Sequence, residues 1–316
     1  MISFIVIGRN EEKNLFRCLS SINRTIKVNK ITDSEIIYVD SDSSDSSTEI
    51  VKSFKNVIGF KIKGDVNAAL ARNVGAERSK GETLFFIDGD MELIPENFRS
   101  YYKNGSLVDG DYIAGNFYHC LYYNDVLIAK ELYSTLTKDS NKTIAGGMFL
   151  INRDLWFKSN GMRTCFRRSQ DYDLAMRMSK LGNKILLKPM PIALHHTVDY
   201  NQFSRFNKDL FSGNFFYQIL LIKYNLFNKH IIPEIIREIT LMSLIFSIVL
   251  VFINGNINFL GLYFFPILLK LIYKKRIKEF FKYLYIYIAL DICGLIGLFT
   301  FWPKNIKRGS YQVIRL

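Results

Sequence analysis

Residues 84–93 read LFFIDGDMEL. Leu84 to Ile87 form an apolar run of strand length that ends on Asp88-Gly89-Asp90. Two carboxylates one residue apart repel each other, so a strand finishing on them implies a compensating positive charge nearby or a proton to be taken up. Hard divalent cations are held by one or two carboxylates together with substrate phosphates, and a metal at a sheet edge neutralises a diphosphate leaving group. A D-x-D triplet alone describes a solvated surface turn equally well, so its surroundings decide the reading.

Upstream, short apolar runs alternate with helical patterns. SFIVIG, EIIYVDS, VIGFKIK and TLFFIDGD read as strands, and EEKNLFRCLSSI, SSTEIVKSF and NAALARNVGAERS as the helices between them. That rhythm predicts an α/β, doubly wound, mostly parallel sheet, whose ligands bind at the carboxyl ends of the strands. Gly8, Arg9, Asp40 and the Asp88–Asp90 pair all fall at such ends. The stretch from Ile94 to Thr143 is less regular. TIAGGMFLINRDLW then reads as a turn plus a strand, SQDYDLAMRMSKLG as a helix ended by Gly182, and NKILLKPMPIALHH as extended chain. This places a soluble α/β domain over residues 1–200.

The chain has 316 residues, 15% of them aromatic, and a formal net charge of +13. From Ile235 onward there are 11 Lys or Arg against 3 Asp or Glu. The aromatics sit inside apolar runs rather than among basic residues on a polar face, which favours anionic lipid over nucleic acid as partner. Four scattered cysteines form no CxxC pair, so no zinc site or disulfide framework is signalled. MISFIVIGRNEE reads as a first strand, not a signal peptide, which leaves the soluble domain in the cytosol. Residues 201–234 are predicted to be an amphipathic interfacial segment, in which NQFSRFNKDLFSGNFFYQILLIKY reads as an amphipathic helix at a membrane surface. Residues 235–316 are predicted to be membrane-associated, with apolar segments at about 239–253, 257–273 and 280–302. NGNIN suits the far side of a membrane and KKRIK the cytosolic side. Two crossings plus a third segment that re-enters or breaks near Asp291-Ile-Cys-Gly294 keep both termini cytosolic; three plain spanning helices are the alternative. Asp291 either pairs with a basic residue or sits at the interface.

IVIGRNEEKNL, IIYVDSDSSDSST, ALARNVGAERSKGETLFFIDGDMEL and GMRTCFRRSQDYDLAMRMSKLG come in the order and at the spacing of family 2 glycosyltransferases, and the resemblance covers residues 1–200. It implies an inverting enzyme of the glycosyltransferase type A fold that uses a nucleotide-sugar donor and Mn²⁺ or Mg²⁺. Carried over residue by residue, Ile7, Gly8 and Arg9 wrap the nucleobase, with Glu11 beside them. Asp40 contacts the base or ribose, although Asp40-Ser41 stands where the family often has two acids, and an Asx turn would use the same residue. Arg72 reaches the diphosphate or is an ordinary surface arginine. Asp88 and Gly89 face the ribose or metal, and Asp90 ligates the metal. After PIALHH a histidine completes the coordination, His196 being chosen over His195. Asp171, opening a helix, is the base; its neighbour is Gln170 where the family has Glu. Asp173 reads as a second charge at that helix start. Gln202 and Arg205, in QFSRF, resemble the Q-x-x-R-W signature of processive members and are placed near the diphosphate.

These features imply a membrane-attached transferase in cell-envelope or surface-polysaccharide synthesis, moving a sugar to a lipid-linked or polyprenyl acceptor at the cytosolic face of the cytoplasmic membrane. A polyprenyl-phosphate glycosyl synthase and a non-catalytic sugar-nucleotide sensor are the alternatives. A nicotinamide dehydrogenase is disfavoured, because IGRNEEKN lacks G-x-G-x-x-G.

Overall fold

The computed structural model describes residues 1–142, 146–198, 203–307 and 311–315; the side chains of residues 141, 142, 203–205 and 218 lie outside that description. The chain divides into two compact units. Unit 1 is Met1–Tyr200 with Lys304–Leu316, and unit 2 is Asn201–Pro303.

Unit 1 begins with β1 (Ile2–Gly8), α1 (Leu15–Val28), β2 (Ser34–Ser41), α2 (Ser47–Ser53), β3 (Val57–Ile62), α3 (Ala68–Arg78) and β4 (Thr83–Asp88). Short β5 (Met91–Leu93) and the ribbon β6 (Tyr102–Lys103) and β7 (Ser106–Leu107) follow. Then come β8 (Tyr112–Tyr123), β9 (Val126–Leu132), β10 (Ser140–Lys142), β11 (Phe149–Asn152), α4 (Arg153–Lys158), α5 (Gln170–Lys180) and β12 (Ile185–Val198). The last strand, β13 (Tyr311–Arg315), comes after unit 2.

The main sheet runs β10-β12-β8-β11-β4-β1-β2-β3-β13, with β5 paired to β12 and β9 to β8. β1, β2, β3 and β4 pair in parallel, and β12 is parallel to β8. Antiparallel β11 joins the two parallel sets. Central strands buried on both faces explain the unbroken apolar runs of β1 and β4. On one face α1 covers the sheet with Leu15, Cys18, Leu19 and Ile22, a helical spacing. On the other, α3 approaches closely because it is built of small residues: a Cβ on Gly75 would meet Ile5 at 2.3 Å. After β3 the chain crosses to the far side of β1 to lay down β4. The strand order therefore reverses between β1 and β4, where a crevice opens at the carboxyl ends.

The irregular stretch 94–143 contains the long strand β8 and its partner β9. In YIAGNFYHCLYY polar and aromatic residues share both faces, which hides the period of two.

Unit 2 is helical: α6 (Phe203–Phe211), α7 (Phe216–Asn225), α8 (Ile232–Arg237), α9 (Ile239–Asn254), α10 (Phe264–Tyr273) and α11 (Phe280–Thr300). Three sequence expectations are corrected here. The segment 201–234 is not one amphipathic helix: the chain breaks at Gly213 (φ +73°), and α7 buries Ile219, Leu220, Leu221 and Ile222 inside the unit. Nor does α11 break near Asp291. That carboxylate accepts hydrogen bonds from Thr240 (3.0 Å) and Tyr263 (2.8 Å), so the helix need not open to satisfy it. Gly294 and Gly297 let Leu241 and Phe216 pack against the helix rather than interrupt it. Residues 304–316, expected in the membrane region, return instead to unit 1 and pair β13 antiparallel to β3.

Candidate active site

The β1/β4 switch point opens into a cleft of about 500 Å³. Ile7, Gly8, Arg9 and Glu11 line it from the end of β1, Asp88 and Asp90 from the end of β4 and the turn after it, Arg72 from α3, Gly147 from the loop before β11, and Gln170 and Asp171 from the first turn of α5. Residues 160 positions apart in sequence thus share one wall-to-wall space.

The acid turn is locked at its base. Gly89 donates its N–H to the Ile7 carbonyl (2.8 Å). Arg72, only 2% exposed, donates to Asp88 Oδ1 at 2.6 Å and to the Gly147 carbonyl at 3.2 Å. Its Nε and Nη1 are buried without a partner. Gly147 is required here, since a Cβ would stand 2.9 Å from Asp88 Oδ2 and 3.1 Å from Arg72 Nη2.

β5 carries Asp90 against β12, whose alternation sends consecutive histidines to opposite faces. His195 Nε2 lies 3.0 Å from Asp90 Oδ2, and its Nδ1 lies 3.1 Å from Nδ1 of His119 on β8. His196 faces away, with Nε2 3.1 Å from Glu92 and Nδ1 3.0 Å from the Tyr122 hydroxyl. Of the two candidate histidines it is therefore His195, not His196, that meets the acid turn. Burial lowers the His195 pKa, but the Asp90 carboxylate beside it more than offsets this and the net shift is upward.

Glu11 completes a cluster of three carboxyls. Burial, then Asp90 and Asp88, push its pKa up to about 8. Asp88 is pushed up by burial while Arg72 pulls it back. Among the described residues no group of three or more His, Cys, Asp or Glu stands in metal-holding geometry. What is present is Asp90 Oδ1, buried with no partner, beside Asp88 and His195. That donor set fits a hard cation shared with a bound diphosphate, not a cage of protein ligands.

Asp171 enters from the opposite wall in the first turn of α5. Burial raises its carboxyl to about 6, with Arg72 and backbone N–H donors of the helix start opposing. Ser169, which precedes the helix, has φ +59°, uncommon for a non-glycine residue. The loop is held by α3: Asn67 donates to the carbonyls of Thr164 (2.7 Å) and Phe166 (3.1 Å), and Asn73 exchanges two hydrogen bonds with Met162. Asp173 is fully buried, paired with Arg163 and Arg177 at 3.0 Å each, so it anchors the helix rather than merely charging its end.

Asp40 does not line the cleft. It is fully buried and accepts hydrogen bonds internally, Oδ1 from the Ser43 N–H (2.7 Å) and Oδ2 from the Tyr38 hydroxyl (3.1 Å), the contacts of an Asx turn. Gln202 lies outside the described residues, as does the side chain of Arg205 in α6. Sequence reasoning missed His119; its signal, a histidine on an aromatic strand, acquires meaning only from its register opposite His195.

Residues 3–172 match the family model described as Glycosyl transferase family 2. Poly(ribitol-phosphate) beta-N-acetylglucosaminyltransferase TarP of Staphylococcus aureus is 33% identical over 121 residues, 37% of this chain and 36% of the relative. Cholesterol galactosyltransferase of Borreliella burgdorferi is 26% identical over 185 residues, 50% of each. The chain thus spans half or less of either relative's length. Among solved structures, S. aureus TarS 1-349 in complex with UDP-GlcNAc superposes with a TM-score of 0.53 at 14% identity, covering 72% of this chain and 67% of that one. At that identity the likeness is one of fold, the glycosyltransferase type A fold.

Proposed function

From the premise that this chain belongs to glycosyl transferase family 2, we propose that it is a membrane-attached, inverting, cation-dependent glycosyltransferase that moves a sugar from a nucleoside diphosphate to a hydroxyl of a lipid-linked acceptor. The observation that carries this reading is that Asp88, Asp90 and Asp171 line one cleft at the switch point of the sheet.

The donor diphosphate belongs at the acid turn. Arg72, holding Asp88 with one nitrogen, keeps two buried and unpartnered nitrogens that can donate to phosphate oxygens. Asp88, Asp90 and His195 would hold a divalent cation, Mn²⁺ or Mg²⁺, which when bound neutralises negative charge on the diphosphate. Asp171 accepts the proton of the acceptor hydroxyl as its oxygen forms the new bond to the anomeric carbon. The bond from that carbon to the phosphate oxygen breaks, and its electron pair leaves with the nucleoside diphosphate. Among the described residues the cleft's other carboxyls, Glu11, Asp88 and Asp90, gather at the acid turn across from Asp171, which favours a single displacement with inversion. A carboxyl with a pKa of about 6 is poised to work as a base near neutrality, and this favours a hydroxyl acceptor over an already ionised lipid phosphate. Apolar helix Ile277–Thr300 and the basic C-terminal third support attachment at the cytoplasmic membrane with the catalytic unit on the cytosolic face.

The test is incubation of membranes carrying the protein with a panel of nucleotide sugars, with Mn²⁺ or with chelator, scoring released nucleoside diphosphate and labelled lipid. Release with at least one donor, abolished by chelator and by Asp171→Asn, is expected. Undiminished turnover by Asp171→Asn would sink the mechanism.

A further inference from the structure

Resting on the membrane attachment proposed above, we propose that unit 2 is embedded in a single leaflet and does not cross the bilayer: its occupant surface is the anionic cytosolic face of a membrane.

Connectivity supplies the first step. The chain leaves unit 1 after Tyr200 and rejoins it at Lys304. The return is well anchored. β13 pairs with β3, Tyr311 packs edge-on against Phe60 at 5.5 Å, and Arg78 sits over the Tyr311 ring at 4.4 Å. Asn305 Oδ1 accepts the Cys165 N–H at 3.0 Å, and the Ile306 carbonyl accepts from Thr164 at 3.1 Å. A folded unit cannot be shared between two compartments. The number of crossings between residues 200 and 304 is therefore even, and three spanning helices are excluded.

The second step eliminates two crossings. Among the described residues, one helix, Ile277–Thr300, is long and apolar enough to cross alone. A second crossing needs the pair Lys229–Arg237 and Ile239–Asn254, bent by 80°, or the seventeen-residue segment Ile257–Tyr273. If the first two apolar segments cross, KKRIK stays on the catalytic side, but the crossings then fall to the sixteen residues of α9 and the segment Ile257–Tyr273, both short of the roughly 20 residues a span needs, while the one helix long enough stays out of the core. If α9 and α11 cross instead, Lys274, Lys275, Arg276 and Lys278 must be carried to the far side, against the preference of basic residues for the cytosol.

Zero crossings violate neither constraint. The basic runs Lys274–Lys278 and Lys304–Lys307 then lie on one side, within reach of anionic headgroups. Phe252, Phe265, Phe281 and Phe299, each more than 60% exposed, supply apolar surface for the acyl boundary. Trp302, 64% exposed with Lys223 3.4 Å above its ring, has the half-wet character of an interfacial aromatic.

The test uses the full chain in sealed right-side-out and inverted vesicles of phosphatidylethanolamine and phosphatidylglycerol with a membrane-impermeant maleimide. Three native cysteines are buried and Cys293 is partly so, and the unmodified chain sets the background. Lys103→Cys marks the face of unit 1. Lys275→Cys is expected to label from that same face. Asn254→Cys and Asn258→Cys, in the exposed turn after α9, are expected to label from that face or only after detergent. Label reaching any of these three from the opposite face overturns the inference while leaving membrane attachment intact. As a check free of substitutions, protease at the opposite face should leave the wild-type chain whole, and cleavage between residues 250 and 260 overturns the inference. Recovery of the protein away from the vesicles overturns both the inference and the membrane reading, and nucleotide release then tests the transferase reading separately.

Discussion

At the scale of single residues, the charge state of Asp171 sets a pH dependence. A carboxyl raised to about 6 is protonated below that value and is then too weak a base to take the acceptor's proton. Activity should therefore rise with pH, roughly tenfold per unit on the acidic side of about pH 6, and level off above it. A rate profile under saturating donor between pH 4.5 and 8 checks this, and an acidic limb centred near pH 4 would reassign the base. His119 gives a second residue-scale prediction. A histidine facing a metal is oriented through its other ring nitrogen, and here that partner is His119, 3.1 Å from His195. His119→Phe should weaken Mn²⁺ binding about 10- to 100-fold, read by electron paramagnetic resonance of free Mn²⁺ with UDP present. Unchanged affinity would confine His119 to packing. The sequence names two candidate histidines, and the choice of His196 falls on the one that turns away from the acid turn. Their faces depend on the pairing of Met91 with His195 across β5 and β12, information that PIALHH does not contain.

At the scale of elements, helix α5 carries Asp171, the proposed base, and its position depends on Asp173 more than on its own propensity. The buried carboxylate ties Arg163 and Arg177, and Arg177 in turn donates to the Ser159 and Gly161 carbonyls at 2.6 and 2.7 Å. Asp173→Ala leaves Arg177 and its neighbours with uncompensated positive charge in a mostly buried place. The expected loss is about 3 kcal/mol, measured by urea unfolding, and a change under about 0.5 kcal/mol would mean the network is solvated. The elements that sequence patterning identified are those whose residues obey one period: β1 to β4 with their apolar runs, and α1 with its spaced leucines. β8 eluded it because an aromatic strand at the junction of core and cleft mixes polarity on both faces. The break expected in α11 failed for a different reason. An acid inside an apolar helix signals an interruption only when no hydroxyl from a neighbouring helix can reach it, and Thr240 and Tyr263 both do.

At the scale of the whole molecule, the end of the chain bears on the site at its beginning. Residues 304–307 reach unit 1 on the loop that precedes α5. Asn305 Oδ1 accepts the Cys165 N–H, Thr164 donates to the Ile306 carbonyl, and Asn67 holds the same loop from the other side. Ser169, with its left-handed backbone, follows four residues after Cys165, and Asp171 two residues after that. A loop carrying such a residue keeps its shape only where its surroundings over-determine it. Loosening one of its two clamps should let the Asp171 carboxyl wander from the attacking hydroxyl, and a displacement of about 1 Å can cost up to about 100-fold in rate. Asn305→Ala removes one acceptor, so a drop in kcat of about tenfold is expected. The acid turn and Arg72 lie across the cleft and lose nothing, so KM for the donor should stay within about twofold. Steady-state kinetics on the intact chain separates the outcomes. If kcat and KM are both unmoved, β13 and its approach are only an edge cover for β3. If KM rises instead, the clamp acts on the donor wall, and the assignment of Asp171 to the acceptor side is wrong.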